Sequence, residues 1–193
     1  MLRLLNRRDG WPYPAPGGRV RLRPLEEEDV QQIRAWLTDR ELIRLAFGTR
    51  AEDEALDRLA RDYCREIATG RGNALAVEST SGQLIGFVRF NLRNTRTGRN
   101  ARVGILIGDR GYWNCGLGTE AMEGLIAILF TRRKASVIEL DTADFNLRAQ
   151  RCFEKCGFER RAKQSLVSLE NGQPSRKIWM ELSRAAWEQR LRK

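Results

Sequence analysis

The stretch Gly111-Tyr112-Trp113-Asn114-Cys115-Gly116-Leu117-Gly118-Thr119-Glu120-Ala121 constrains this chain more than any other. It follows Val103–Ile107, an apolar run of strand length. Beyond it, Leu117, Ala121, Leu125 and Ile128 recur at the spacing of one helix face. Two glycines therefore stand where a strand becomes a helix. At such a junction the first helical N–H groups lack intrahelical partners, and the positive end of the helix dipole points the same way. Glycine lets an anion approach those amides, because no Cβ intervenes. The pattern suits a small diphosphate cradle. A glycine pair at this place also serves as a plain tight turn, and local pattern does not separate the two. No Gly-Lys-Ser/Thr follows, which excludes a Walker loop. Gly118 has no third glycine three residues on, which excludes the dinucleotide fingerprint.

A second patterned stretch is Asn146-Leu147-Arg148-Ala149-Gln150-Arg151-Cys152-Phe153-Glu154-Lys155-Cys156-Gly157-Phe158. Asn146 is placed to cap a short helix over Leu147–Lys155, and Gly157 to stop it. The two stretches, in this order, resemble the Gcn5-related N-acetyltransferases (the GNAT family). The likeness is nearest to the branch that includes the ribosomal-protein and spermidine acetyltransferases. That family's loop reads Gln/Arg-x-x-Gly-x-Gly/Ala, with Trp113 at its first position here. Its later motif reads Asn-x-x-Ala-x-x-x-Tyr-x-Lys-x-Gly-Phe. The resemblance runs from about Arg19 to the C-terminus.

The resemblance implies an α/β fold with a central mixed sheet, splayed between its fourth and fifth strands and flanked by helices on both faces. It implies an N-acetyltransferase that moves the acetyl group of acetyl-CoA to a primary amine, on a small molecule or a protein N-terminus, by direct attack in a ternary complex. The backbone of Asn114, Cys115, Gly116, Leu117, Gly118 and Thr119 would then hold the pyrophosphate, beside Trp113. The strand edge at Leu106, Ile107 and Gly108 would pair with the pantetheine amides, with a bulge at Gly104 or Gly108 opening the sheet. The Leu106 N–H would polarise the thioester carbonyl. Asn146 and Phe153 would flank the pantetheine arm, and Arg148 would reach the phosphates, although capping alone accounts for Asn146.

Two positions depart from the family pattern. Phe153 stands where many relatives carry the Tyr that protonates the leaving thiolate, and Arg102 stands where many in this branch carry Glu. The side-chain base is therefore unassigned, with Glu78, Asn91, Asp141 and Asp144 as positions to inspect. The same departures motivate the alternative of a non-catalytic acyl-CoA-binding module. Cys115 or Cys152 as a covalent acetyl carrier is disfavoured by apolar surroundings.

The chain of 193 residues suits one core. It contains no histidine, which removes histidine triads and Cys–His dyads, and its four cysteines form no Cys-x-x-Cys pair. A metal site thus loses its main support, and none is expected. The formal charge of +10 favours an anionic ligand such as CoA. Nucleic acid is a weaker reading, because Lys and Arg are scattered rather than massed. No apolar run approaches membrane length, and the N-terminus lacks the apolar core of a secretory signal, so a cytoplasmic protein is expected. A homodimer is left open.

Pro12, Pro14 and Pro16 with Gly10, Gly17 and Gly18 mark residues 1–18 as an extended arm, disordered or docked by Trp11 and Tyr13, ahead of a single domain over 19–193. Strands are expected at Val20–Arg23, Ala74–Glu78, Leu84–Asn91, Arg102–Ile107 and Val137–Ala143, with a closing hairpin around Asn171-Gly172. Asn94–Asn100 reads as a loop. Helices are expected after Glu26, over Glu52–Ala68, from Leu117 to about Arg132, and from Ser183. Trp36, Leu45 and Phe47 are candidates for contact with the acceptor.

Overall fold

Val20-Arg21-Leu22-Arg23 alternates apolar and basic side chains, and the computed structural model, which describes residues 13–47, 57–58, 60–62, 64–65, 73–168 and 174–192, turns Val20 and Leu22 into the core. This strand, β2 (Val20–Pro24), follows a short edge strand β1 (Tyr13–Pro14), so the end of the expected arm docks on the sheet. Trp11 lies outside the described residues. Two helices come next, α1 (Asp29–Leu37) and α2 (Arg40–Phe47), then strands β3 (Ala74–Ser79), β4 (Leu84–Thr95) and β5 (Gly98–Ile107). The glycine stretch leads into α3 (Leu117–Ala127), which widens into a π-helical turn over Ile128–Arg132. Then follow β6 (Val137–Ala143), α4 (Leu147–Lys155), β7 (Glu159–Ser168), β8 (Pro174–Ser183) and α5 (Arg184–Arg190).

The strands form one eight-stranded mixed sheet in the order β1-β2-β3-β4-β5-β6-β8-β7. Every described pairing is antiparallel except β5–β6, which is parallel. Successive side chains leave opposite faces of a strand. Val88, Phe90 and Val103 therefore pack on one face with Met122, Leu125 and Leu129, while Phe87 and Leu106 pack on the other with Ile33, Trp36 and Leu42. Buried Glu78 on β3 accepts from Arg21 and Arg23 of β2, and Arg23 also donates to Asp29 at 2.6 and 2.9 Å. That network joins the sheet edge to the start of α1.

Three expectations change. Asn94–Asn100 is not a loop: β4 and β5 pair continuously to Thr95↔Gly98, leaving only Arg96 and Thr97 at the turn. The hairpin end is largely exposed on both faces, so it carries no apolar alternation to read. No bulge stands at Gly104, since the register runs one-to-one from Gly86↔Ile107 onward; the irregularity lies at Gly108, where Gly108 N and Asp109 N both donate to Ile85 O, at 3.0 and 3.2 Å. The helix α2 was not expected. Of the helix expected over Glu52–Ala68, the described residues between 57 and 65 are helical. Its apolar positions Leu56, Leu59, Tyr63 and Ile67, like the Asn171-Gly172 turn, lie outside the described residues.

Candidate active site

The parallel pairing of β5 with β6 covers only Asn100–Arg102 against Val137–Glu139. Beyond Arg102, β5 continues to Ile107 without a described partner on that side, and the gap opens into a cleft of about 760 Å³. At a strand rise of about 3.3 Å per residue, Val103 to Ile107 offers roughly 13 Å of open backbone edge.

Which amides face that gap follows from the ladder. Gly108 N donates to Ile85 O at 3.0 Å, toward β4, while Ser136 N on the β6 side donates to Arg99 O at 2.6 Å. Backbone groups alternate sides along a regular strand. Even-numbered residues of β5 therefore face β4, and Val103, Ile105 and Ile107 face the gap. This corrects two expectations. Leu106, opposite Phe87, turns its N–H into the ladder, so it is no donor at the gap, although its side chain lines the cleft. Gly108 N–H is likewise spent on Ile85. Gly108 is buried against Trp36, whose indole a Cβ there would overlap.

At one end of the open edge stands the glycine loop. Asp109 Oδ1 accepts from Gly111 N at 2.9 Å, and Trp113 Nε1 donates to Ile107 O at 2.7 Å, which fixes the loop to the strand. Asn114 and Gly116 adopt left-handed backbone, with φ of 62° and 83°. Gly116 O accepts from Thr119 N at 3.0 Å and Glu120 N at 3.2 Å. The Leu117 and Gly118 amides are left to face out of the helix end. On the loop's outer side, Arg19 donates to Cys115 O at 3.0 Å and pairs with the buried Glu120 carboxylate.

Across the cleft, α4 presents Arg148, whose guanidinium lies 3.6 Å from the centre of the Trp113 ring. Burial lowers its pKa, yet a guanidinium stays charged in proteins. Asn146 Oδ1 accepts from Ala149 N at 3.1 Å, capping α4, and its Nδ2 donates to Leu45 O at 2.8 Å. Phe153 is buried edge-on against Phe158, 6.0 Å between ring centres. Thr119 Oγ1 donates to Cys152 Sγ at 3.5 Å. Cys152 is drawn down by its hydrogen bond with Cys156, and the same contact together with burial pushes Cys156 up.

The cleft is thus lined by Leu106, Ile107, Trp113, Asn114, Gly116, Gly118, Thr119, Asn146, Arg148 and Phe153 of the expected residues. Cys115 lies exposed on the outer side, and Leu117 is in the core. Of the positions inspected for a base, Asn91 and Asp141 line the cleft; Glu78 and Asp144 do not. Leu45 lines it, Trp36 is buried beneath Gly108, and the Phe47 side chain lies outside the described residues. Sequence reading missed Arg89, Arg151, Lys155 and Lys177. Strand parity puts Arg89 on the sheet face of Phe87 and Lys177 on that of Asp141, but only once the register is known.

The donor set fits a diphosphate nucleotide carrying an extended amide arm: outward helix-end amides, a left-handed turn, cations on α4 and an unpaired strand edge. Comparison with known proteins agrees. The sequence pattern described as "Acetyltransferase (GNAT) domain" matches residues 19–159. Aminoglycoside N(6')-acetyltransferase type 1 of Serratia marcescens is 26% identical over 182 residues, covering 90% of this chain and 87% of that protein. The spermidine N-acetyltransferase of Vibrio cholerae, solved with CoA and spermine, superposes with a TM-score of 0.73 at 23% identity, over 88% of this chain and 98% of its own. An aminoglycoside acetyltransferase solved with coenzyme A gives 0.66 at 25% identity, over 90% and 99%. The chain belongs to the GNAT family of acetyltransferases.

Proposed function

We propose that this protein transfers the acetyl group of acetyl-CoA to a primary amine, by direct attack within a ternary complex. The observation that carries the reading is the open odd-numbered edge of β5, which ends at the outward amides of the glycine loop. The relatives named above act on aminoglycosides or spermidine, which supports an amine acceptor; a protein N-terminus belongs to the same class of nucleophile. Acetyl-CoA supplies an acetyl thioester that an amine can attack.

The chain's own residues bind and orient. Leu117 and Gly118 amides, with Arg148, suit the pyrophosphate. Ile105 offers its carbonyl and Ile107 its N–H to the pantetheine amides as a neighbouring strand would, Ile107 O being held by Trp113. The Ile105 N–H replaces that of Leu106 as the donor to the developing oxyanion, a contribution of about 3 kcal/mol to the barrier. The amine forms the new C–N bond, the C–S bond breaks, and the amine's proton balances the departing thiolate. An ordinary alkylammonium titrates near 10.4, so a first proton must leave it for water before attack, and the second, lost from the attacking nitrogen, is the one that balances the thiolate. Phe153 cannot donate a proton, and Asp141 is held between Arg102 and Lys177, so water is assigned the relay. The four cysteines, unpaired as described, suit a reducing compartment such as the cytoplasm.

The test is calorimetric titration with acetyl-CoA and CoA, on the native protein and on a Gly116→Glu, Gly118→Glu variant. Native binding that the variant loses is the expected result; no native binding would reduce the loop to a turn. Phe153 and Arg102 favour one second reading, a domain that holds acyl-CoA without chemistry. Multiple turnovers with any amine would end it.

A further inference from the structure

The cleft has two charged regions on different walls. Arg148, Arg151 and Lys155 belong to α4, next to the glycine loop, and suffice for the phosphates of a nucleotide. The second region lies at the other end of the open edge, where β5 and β6 part. Arg102 sits in the last pair before the gap, opposite Glu139, and shares its sheet face with Asp141 and Lys177. Asp141 Oδ1 accepts from Arg102, and its Oδ2 lies 3.2 Å from Lys177 Nζ. The Arg102 guanidinium lies 4.7 Å from the centre of the Trp179 ring. Nearby Glu139 accepts from the neutral Asn100 at 2.9 Å and Glu181 pairs with Arg161 at 3.4 Å, but neither carboxylate lines the cleft, where Arg89, Arg102 and Lys177 stand with Asp141. One carboxylate thus aligns two cations along the face packed by α1 and α2, and both cations line the cleft.

We infer that the acceptor is an amine that carries its own anionic group, a phosphate or a carboxylate, rather than a polycation. The inference rests on the acetyl-transfer reading above and specifies its second substrate. Asp141 holds Arg102 and Lys177 in place while leaving an excess of positive charge toward the cleft. A guanidinium and an ammonium presented side by side match the oxygens of a phosphate or carboxylate. The anion docked there orients the amine toward the parting of the strands, where the Ile105 amide faces the gap. A polyamine or aminoglycoside would instead bring ammonium groups against two fixed cations, which repels it. The bonds made and broken are unchanged: C–N forms, C–S breaks, one ammonium proton goes to water before attack and a second, from the attacking nitrogen, to the thiolate.

Acetyl transfer to phosphoethanolamine, ethanolamine and spermidine would be compared with acetyl-CoA saturating. Phosphoethanolamine should exceed ethanolamine in kcat/KM by at least about tenfold, the scale of one charge-assisted hydrogen bond, with spermidine lowest. Lys177→Glu and Arg102→Gln should each collapse the ratio of phosphoethanolamine to ethanolamine toward one. Equal use of the first two amines, or preference for spermidine, would overturn the inference even if a variant fails to fold. The second readout is titration of 2-aminoethylphosphonate into the CoA-loaded protein, where no transfer takes place. Saturable binding weakened by Lys177→Glu supports the inference, and absence of binding overturns it. Should acetyl-CoA bind while no amine turns over, the transfer reading falls, and this titration still judges the anion site by itself.

Discussion

Asn146 Nδ2 donates to Leu45 O at 2.8 Å, joining the cap of α4 to the last turn of α2. One side chain thereby ties the wall of the cleft that carries Arg148 to the wall that carries Leu45. Asn146→Ser keeps a capping oxygen but is too short to reach Leu45, so it should cost about 1 kcal/mol, one net hydrogen bond. Asn146→Ala loses the cap as well and should cost about 2 kcal/mol. Denaturant unfolding of both variants checks the difference, and equal losses would assign the whole effect to the Leu45 bond.

Gly116 carries φ of 83°, and a Cβ there would meet only Arg19 Nη2, at 3.2 Å. The penalty is one of backbone rather than space. Gly116→Ala should therefore lose about 1–2 kcal/mol of stability, whereas Gly116→Asn should lose less, because Asn tolerates left-handed backbone. Melting curves of the two variants test the order. Titration with acetyl-CoA should show the Asn variant nearer the native affinity.

Asp39 begins α2: its Oδ1 accepts from Glu41 N at 3.0 Å and Leu42 N at 3.1 Å, and Arg110 lies 2.9 Å from its Oδ2. Burial alone would raise its pKa, but the Arg110 hydrogen bond and the two amides outweigh that and hold it below the ordinary carboxylate value. A depressed pKa means stability present above the unfolded value, about 3.9, and lost as pH falls through the folded one. Asp39→Ala should thus cost about 1 kcal/mol at neutral pH. In acid, below the folded-state pKa, the variant and native unfolding curves should converge.

Glu78 is buried between Arg21 and Arg23 and does not line the cleft. Glu78→Gln should lower stability by about 2 kcal/mol, since two charge-assisted bonds weaken, yet leave kcat/KM within about twofold of native. A large fall in kcat with unchanged stability would return Glu78 to the list of bases.

The glycine-loop side of the cleft was legible because its features are local. Gly116, Asn146 and Gly157 act through backbone conformation and caps, and each leaves its mark within a few residues of sequence. The side built by the strands was not. Arg89, Arg102, Asp141 and Lys177 come from four strands and meet only through register, which a single sequence does not disclose. The error at Leu106 has the same origin: a shift of one residue exchanges the two edges of a strand. The helix α2 escaped notice because Arg40-Glu41 and Arg44 punctuate a span of only eight residues.

The three residue pairs that join β5 to β6 are a short seam between β1–β5 and β6–β8. A ligand lying along the open edge takes the place of a strand, so its binding energy adds directly to the cohesion of the two halves. Any species that binds the native state alone raises its apparent stability by mass action. The folded protein's resistance to proteolysis should then rise on adding acetyl-CoA or CoA alike, since both would lie along the same edge.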